Sequence, residues 1–141
     1  MTTYFNSVYL CGPMEGVSEE QMRGWRTLAT DFLLKNFIYT LDPCRRKRIH
    51  DEPYSANLAK RIVKMDLQDI SRSSVILANL KDIGPGRAWG SVAEIAHAHT
   101  KNKIIITIVE KDYHHPFIDF YSTEIHHDLE SALQVIPHYY G

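Results

Sequence analysis

Residues 73–98, SSVILANLKDIGPGRAWGSVAEIAHA, decide the fold of this chain. The stretch begins with a continuous apolar run, 75–78, which is typical of a strand buried on both faces. A glycine-rich loop, 84–90, follows, and we expect a helix to begin at Ser91. A strand that leads through such a loop into a helix N-terminus is where α/β proteins usually bind their ligand. We therefore predict an α/β fold whose site lies at this loop, and Glu94 is the acid on which we expect the function to depend.

Apolar runs and helical periodicities alternate along the rest of the chain. The predicted strands are 8–11, 37–41, 75–78, 103–109 and a short fifth one near 122–125. The predicted helices are 18–35, 55–71, 91–98 and 129–136, and the segment between the last two strands is predicted to be a polar connection. Strands that alternate with helices at this spacing indicate a parallel sheet with helices on both faces.

Composition limits the class of protein. The 141 residues are expected to form a single domain, 1–141, and the net charge of −1 gives no general attraction for a nucleic acid polymer or an anionic membrane. No apolar run approaches the roughly 20 residues that span a bilayer, and the first residues lack a signal-peptide pattern. Two cysteines, Cys11 and Cys44, do not make a disulfide framework. We expect a cytoplasmic protein with no membrane partner.

The sequence gives no sign of a cofactor. None of the eight histidines has a metal-ligand spacing, and His97 and His99 would point to different faces of one helix. The glycine-rich loops do not match the dinucleotide fingerprint, and the chain has neither a P-loop nor a G-x-S-x-G elbow. We therefore expect neither a metal nor an organic cofactor.

Glu94 allows two interpretations. Ser91-x-x-Glu94 matches a capping box, in which the glutamate only bonds back to the start of its own helix. Alternatively, the carboxylate lies in the first helical turn, is kept ionised by the helix dipole and faces the cleft. The second arrangement suits a nucleophile that attacks the anomeric carbon of a sugar.

Asp66 is the second candidate acid. On a helical wheel it falls between Ile62 and Ile70, inside the apolar arc, so it must be either paired or functional. The structural alternative is a bond to a loop backbone or to Arg72. Asp69 lies nearer the edge of the arc, and we expect it to be structural.

Two further features remain open on the residues alone. Tyr9 precedes the Gly12-Pro13 break, where a tyrosine is more often a core residue than a catalytic one. The basic run 45–48 is either a solvated loop or a phosphate-binding segment.

Several segments, taken in order, resemble the nucleoside 2-deoxyribosyltransferase family and its relatives, the nucleoside 5′-monophosphate N-glycosidases. They are VYLCGPM at 8–14, MDLQDI at 65–70 and GSVAEIAHA at 90–98, and LDPCRRK at 41–47 is similar to a D-P-x-R-x-K element of small members. The resemblance implies a flavodoxin-like (Rossmann-like) three-layer sandwich with a mostly parallel sheet of about five strands. It also implies assembly as a homo-oligomer.

The same resemblance implies roles for individual residues. Glu94 would be the nucleophile that takes the (deoxy)ribosyl group from a base, Asp66 would position or protonate the departing base, and Tyr9 would orient the nucleophile. Transfer to a second base would complete the reaction, and hydrolysis by water is the alternative. The implied substrate is a small-molecule nucleoside or nucleotide, and the expected substrate-binding residues are Gly12, Pro13, Met14, Arg45, Arg46, Trp89, Gly90, Ser91 and Asp119.

Two positions depart from the family pattern. Ala88 stands where the transferases tend to carry Asp and the monophosphate hydrolases Ser. Where the transferases supply an Asn from a neighbouring subunit, this chain has Phe117-Ile118-Asp119, and Asp119 is the candidate substitute. The base, the sugar and the phosphate therefore stay open, with Arg45 and Arg46 as an alternative phosphate site. A nucleotide-binding sensor domain is the competing hypothesis of another class.

Overall fold

One parallel sheet organises the structure, a computed structural model that describes residues 6–14, 16–46, 52–81 and 88–141. Its five strands lie in the order β2-β1-β3-β4-β5, and every neighbouring pair is parallel. The strands are β1 (Ser7–Cys11), β2 (Tyr39–Leu41), β3 (Val75–Asn79), β4 (Ile104–Ile108) and β5 (Glu124–His126). The α-helices are α1 (Glu19–Lys35), α2 (Ala56–Arg72), α3 (Trp89–Thr100), α4 (Pro116–Tyr121) and α5 (Leu129–Val135). This order is that of flavodoxin-like sheets, whose switch point lies between β1 and β3. The predicted fold class is confirmed.

The side chains of β1 supply both faces of the sheet. All five of its residues are buried, as expected for a central parallel strand. Because successive side chains point to opposite faces, Val8 and Leu10 join the core on the side of α1 and α5. Tyr9 and Cys11 join the core on the other side, where α2, α3 and α4 pack. The alternation therefore directs these two polar-tipped side chains towards α3.

The second strand is shorter than the predicted 37–41. Phe37 has a φ of 60°, and its amide donates to the carbonyl of Leu34, while that of Ile38 donates to Leu33. These bonds satisfy the last carbonyls of α1 in the manner of a left-handed helix end. Residues 37 and 38 thus close the helix before β2 begins at Tyr39.

A short helix, α4, lies in the segment predicted to be a polar connection. His115 caps it by accepting the amide of Phe117 on Nδ1 at 3.2 Å, and Pro116 occupies the first helical position. Proline is favoured there because it lacks the N–H that would otherwise go unsatisfied. A helix of six residues is too short to show an apolar periodicity, so the sequence pattern did not predict it.

Candidate active site

A cleft of about 640 Å³ opens beyond the carboxyl end of β1, beside the start of α3. This volume is within the range of small-molecule pockets. Its lining residues are Gly12, Pro13, Met14, Val17, Glu19, Met22, Ile62, Asp66, Ala88, Trp89, Gly90, Ser91 and Glu94. The structure thus brings together two predicted acids, the β1 loop and the start of α3 at the switch point, where ligands of such sheets bind.

Two donors from β1 hold the Glu94 carboxyl group. The hydroxyl of Tyr9 donates to Oε2 at 2.7 Å, and the thiol of Cys11 donates to Oε1 at 3.4 Å. Both donors come from the same face of the strand, as the alternation of its side chains requires. Each carboxyl oxygen of Glu94 therefore has its own partner, and the side chain is fixed at the wall of the cleft.

The capping interpretation of Glu94 is wrong. Helix α3 begins at Trp89, two residues earlier than expected, and its N-cap is Ala88, which makes no side-chain capping bond. Ser91 is therefore inside the first turn and Glu94 is in the second, beyond the reach of the helix start. The carboxyl group faces the β1 donors instead of its own backbone.

Burial and a neighbouring acid decide the charge of Glu94. Burial, followed by the negative charge of Asp66, raises the pKa of Glu94 to about 8, although the bonds from Tyr9 and Cys11 act in the opposite direction. The expectation that the helix dipole keeps this carboxylate ionised is thus wrong, because the dipole acts mainly within the first turn. The raised pKa favours the protonated form of Glu94 in the free protein near pH 7.

Tyr9 and Cys11 remain protonated under the same conditions. Burial, followed by the charge of Glu94, raises the pKa of the Tyr9 hydroxyl far above its ordinary value. The same two causes raise the pKa of the Cys11 thiol. Both groups are therefore hydrogen-bond donors and not nucleophiles at neutral pH.

Asp66 lies on α2 and faces Glu94 across the cleft wall. The carboxyl groups of Asp66 and Glu94 interact electrostatically, and Arg46 forms an ion pair with Asp66. Burial raises the pKa of Asp66, while the positive charge of Arg46 opposes this rise. Asp66 is thus a paired acid in contact with the candidate nucleophile.

Asp69 is more deeply buried than its expected position at the edge of the apolar arc implies. It is 1% exposed and binds both Arg45 and Arg46, at 2.8 and 2.7 Å. The two aspartates are three positions apart and therefore share one side of α2. Arg45 and Arg46 thus lie behind Asp66 and do not line the cleft.

The other residues considered in the sequence are Asp119 and several positions that the structure does not describe. Asp119 is on α4, half-exposed and 3.9 Å from Nδ1 of His114, and it is not among the lining residues. The glycines at 84 and 86, Arg87, Lys47 and Arg48 lie outside the described residues.

The sequence interpretation missed several residues of the site. They are Cys11, Val17, Glu19, Met22 and Ile62. Ile62 precedes Asp66 by one helical turn, so the i, i+4 spacing was a usable signal. Cys11 follows Tyr9 by two positions on a strand, which was a second signal.

The raised pKa of Glu94 predicts a pH-dependent stability. A carboxyl group whose folded-state pKa exceeds its ordinary value of 4.5 stabilises the fold fully below about pH 4.5, and this contribution is lost as the pH rises through about 8. We expect Glu94→Gln to gain stability relative to the wild type over this window, on the order of 1–3 kcal/mol. Urea unfolding at several pH values measures the difference, with Glu19→Gln as the control from the same cleft. A difference that is the same at about pH 5 and about pH 9 would contradict the raised pKa.

Close packing fixes the start of the β1 loop. A Cβ on Gly12 would lie 2.9 Å from Cζ2 of Trp25 and 3.1 Å from the carbonyl oxygen of Asn79. Neither the partly buried ring of Trp25, which packs against the core, nor a backbone oxygen can move freely, so we expect Gly12→Ala to destabilise the fold by about 1–3 kcal/mol. A Cβ on Gly24, in α1, meets nothing within 4 Å, and Gly24→Ala should be neutral or stabilising. Equal thermal midpoints for the two variants would refute the packing argument.

Neither a metal cluster nor a membrane-spanning helix is present in the described part of the chain. No group of three or more His, Cys, Asp or Glu side chains among the described residues is arranged to hold a metal ion. Within the same residues, none of the helices combines the length and apolar character that crossing a bilayer requires.

The fold and the cleft define a flavodoxin-like α/β protein with two interacting acids at its switch point. No protein-family model matches the chain, and no curated protein matches it in sequence. Solved structures do match it, and they confirm, at the level of the fold, the resemblance that the motifs indicated.

Three of these structures are enzymes by name. The 2-deoxyribosyltransferase from Bacillus psychrosaccharolyticus has a TM-score of 0.71 and 17% identity, with 90% of each chain covered. The 2-desoxiribosyltransferase from Leishmania mexicana has a TM-score of 0.68 and 13% identity, covering 96% of this chain and 99% of its own. The CMP N-glycosidase BcmB from Clostridium botulinum has a TM-score of 0.61 and 17% identity, covering 94% and 98%. At such identities the similarity establishes the shared fold.

Proposed function

We propose that this protein cleaves the N-glycosidic bond of a nucleoside or its 5′-monophosphate through a covalent intermediate on Glu94. The observation that carries the proposal is the Glu94 carboxyl group, held on both oxygens by Tyr9 and Cys11 at the wall of a cleft that it shares with Asp66. Paired carboxyl groups with different environments are what glycosidic-bond cleavage requires. The shared fold of two deoxyribosyltransferases and a CMP N-glycosidase supports this reaction class.

The two acids share one proton in the proposed mechanism. The raised pKa of Glu94 favours this proton on Glu94 in the free protein, and Asp66, which lines the same cleft, is the neighbouring carboxyl group that can receive it. Transfer to Asp66 leaves Glu94 as a carboxylate that the Tyr9 and Cys11 donors keep in place. The same step makes Asp66 the acid for the leaving base, so a single proton movement prepares both partners.

The bond changes then follow in two steps. A carboxylate oxygen of Glu94 bonds to C1′ while the bond from C1′ to the base nitrogen breaks, and the base takes the proton of Asp66. A second base or a water molecule then loses a proton to Asp66 and attacks C1′. The bond between C1′ and Glu94 breaks, and Glu94 is released as a carboxylate. Transfer and hydrolysis differ only in this acceptor.

Free base is the product that tests the proposal. We expect chromatography to detect it when the protein is incubated with a panel of nucleosides and 5′-monophosphates. A second base added to an active mixture yields a new nucleoside if the enzyme is a transferase, and does not if it is a hydrolase. A nucleotide that raises the melting temperature without base release would favour the sensor hypothesis instead. The homo-oligomeric state and the cytoplasmic location stay predictions.

A further inference from the structure

A network of two arginines and two aspartates lies directly behind the cleft. Arg45 and Arg46 end the single 3₁₀ turn that follows β2, and Asp66 and Asp69 face them from α2. Arg46 donates to both aspartates, through Nη2 to Asp66 and through Nη1 to Asp69 at 2.7 Å. Arg45 donates to Oδ1 of Asp69 at 2.9 Å, with Oδ2 at 2.8 Å, and to the backbone carbonyl of Asp42 at 2.8 Å. Arg46 is therefore the member that connects the buried anchor to the catalytic acid.

We propose that Arg46 is a positioning residue that aims the Asp66 carboxyl group at Glu94 and makes it a stronger acid. Arg46 is then not a phosphate ligand. This inference rests on the proposed function, because it gives Asp66 its meaning there. It replaces the sequence hypothesis that Arg45 and Arg46 form a phosphate site.

The geometry carries the positioning role. The side chain of Arg46 is 16% exposed and that of Asp69 is 2% exposed, so their bond is largely shielded from water. Such a charge-assisted, two-point contact fixes the plane of a guanidinium group. With Nη1 tied to Asp69, Nη2 is held against Asp66, and rotation of Asp66 away from Glu94 would break an ion pair in a poorly solvated place.

The charges around Asp66 also favour this role. Asp66 faces Glu94 of α3, Tyr9 of β1, Asp69 on its own helix and Arg46. Arg46 is the cation in this set, and it forms ion pairs with two carboxylates, those of Asp66 and Asp69. The guanidinium group of Arg46 is thus already paired with carboxylates, and a phosphate group could bind Arg46 only by displacing Asp66 or Asp69.

A carboxyl titration in the free protein tests the inference without any substrate. We would follow the Asp66 carboxyl signal by ¹³C NMR in the wild type, Arg46→Gln, Arg46→Lys and Arg45→Gln. Arg45 touches Asp69 but not Asp66, so Arg45→Gln is the matched control for a damaged anchor. We expect Arg46→Gln to raise the pKa of Asp66 by about 1 or more, Arg46→Lys to restore most of the wild-type value, and Arg45→Gln to change it much less.

Turnover then separates positioning from phosphate binding. With whichever substrates are active, we expect kcat to fall about 10-fold in Arg46→Gln, equally for nucleosides and monophosphates, with KM little changed. An unchanged Asp66 titration in Arg46→Gln, or equal shifts in the two glutamine variants, would overturn the inference. So would a rise in KM that is confined to monophosphates. A wild-type protein that releases no base would refute the proposed function, yet the titration would still decide whether Arg46 controls Asp66.

Discussion

Glu94→Ala should lower the release of free base by about 10³-fold or more, because it removes the atom that is proposed to bond to C1′. Glu94→Gln should be similarly impaired, since an amide keeps the volume but can accept a hydrogen bond from only one of the two donors, Tyr9 or Cys11, and has no nucleophilic oxygen anion. Initial rates of base release, measured by chromatography at saturating substrate, give both values.

Glu19→Gln is the matched control for a lost cleft carboxylate. Glu19 also lines the cleft, but its carboxylate pairs with Arg23 at the exposed start of α1. We expect this variant to keep most of the wild-type turnover. Base release that persists in Glu94→Ala would remove Glu94 as the nucleophile, and an equal loss in Glu19→Gln would reduce the effect to a general change of the cleft charge.

Asp66→Asn should lower kcat by about 10²–10⁴-fold and leave KM much less affected, because the substitution removes the proton donor for the leaving base. It should also change the pH dependence. Burial is the largest cause of the raised pKa of Glu94, and the charge of Asp66 is the second. A neutral asparagine removes the second cause, so the pKa of Glu94 should fall.

A pH series of single-turnover rates measures the residual activity of Asp66→Asn. Since Glu94 must lose its proton to act, a lower pKa should move the acid limb of the profile to lower pH. Turnover that is unchanged, together with a lower unfolding free energy, would mark Asp66 as a buried structural acid.

The parallel sheet could be predicted because its central strands are continuous apolar runs. Val75, Ile76 and Leu77 are completely buried on both faces, and a buried parallel strand selects this composition. The cleft could be placed for a topological reason, because loops at the carboxyl ends of β1 and β3 must meet. Glu94 was found from its place near that edge.

The charge state of Glu94 could not be read from local sequence. The expected first-turn position of Glu94 depended on the residue at which α3 begins, and α3 begins two residues earlier than predicted. Glu94 therefore lies in the second turn, where burial and the charge of Asp66 raise its pKa. The acid-to-acid contact joins residues from two helices, and no local pattern reports it. The same holds for Arg46, whose partners on α2 are 20 and 23 positions away.

The covalent bond to Glu94 can be measured directly by mass spectrometry. A 2′-fluorinated nucleoside slows both steps of the reaction, because fluorine disfavours the positive charge that develops on the sugar ring. With a base that the wild type accepts, we expect the intact protein to gain the mass of one fluoropentosyl group, located on the peptide that contains Glu94, and Glu94→Gln to gain nothing. An active wild type that gains no mass, or gains it on another residue, would contradict the central claim.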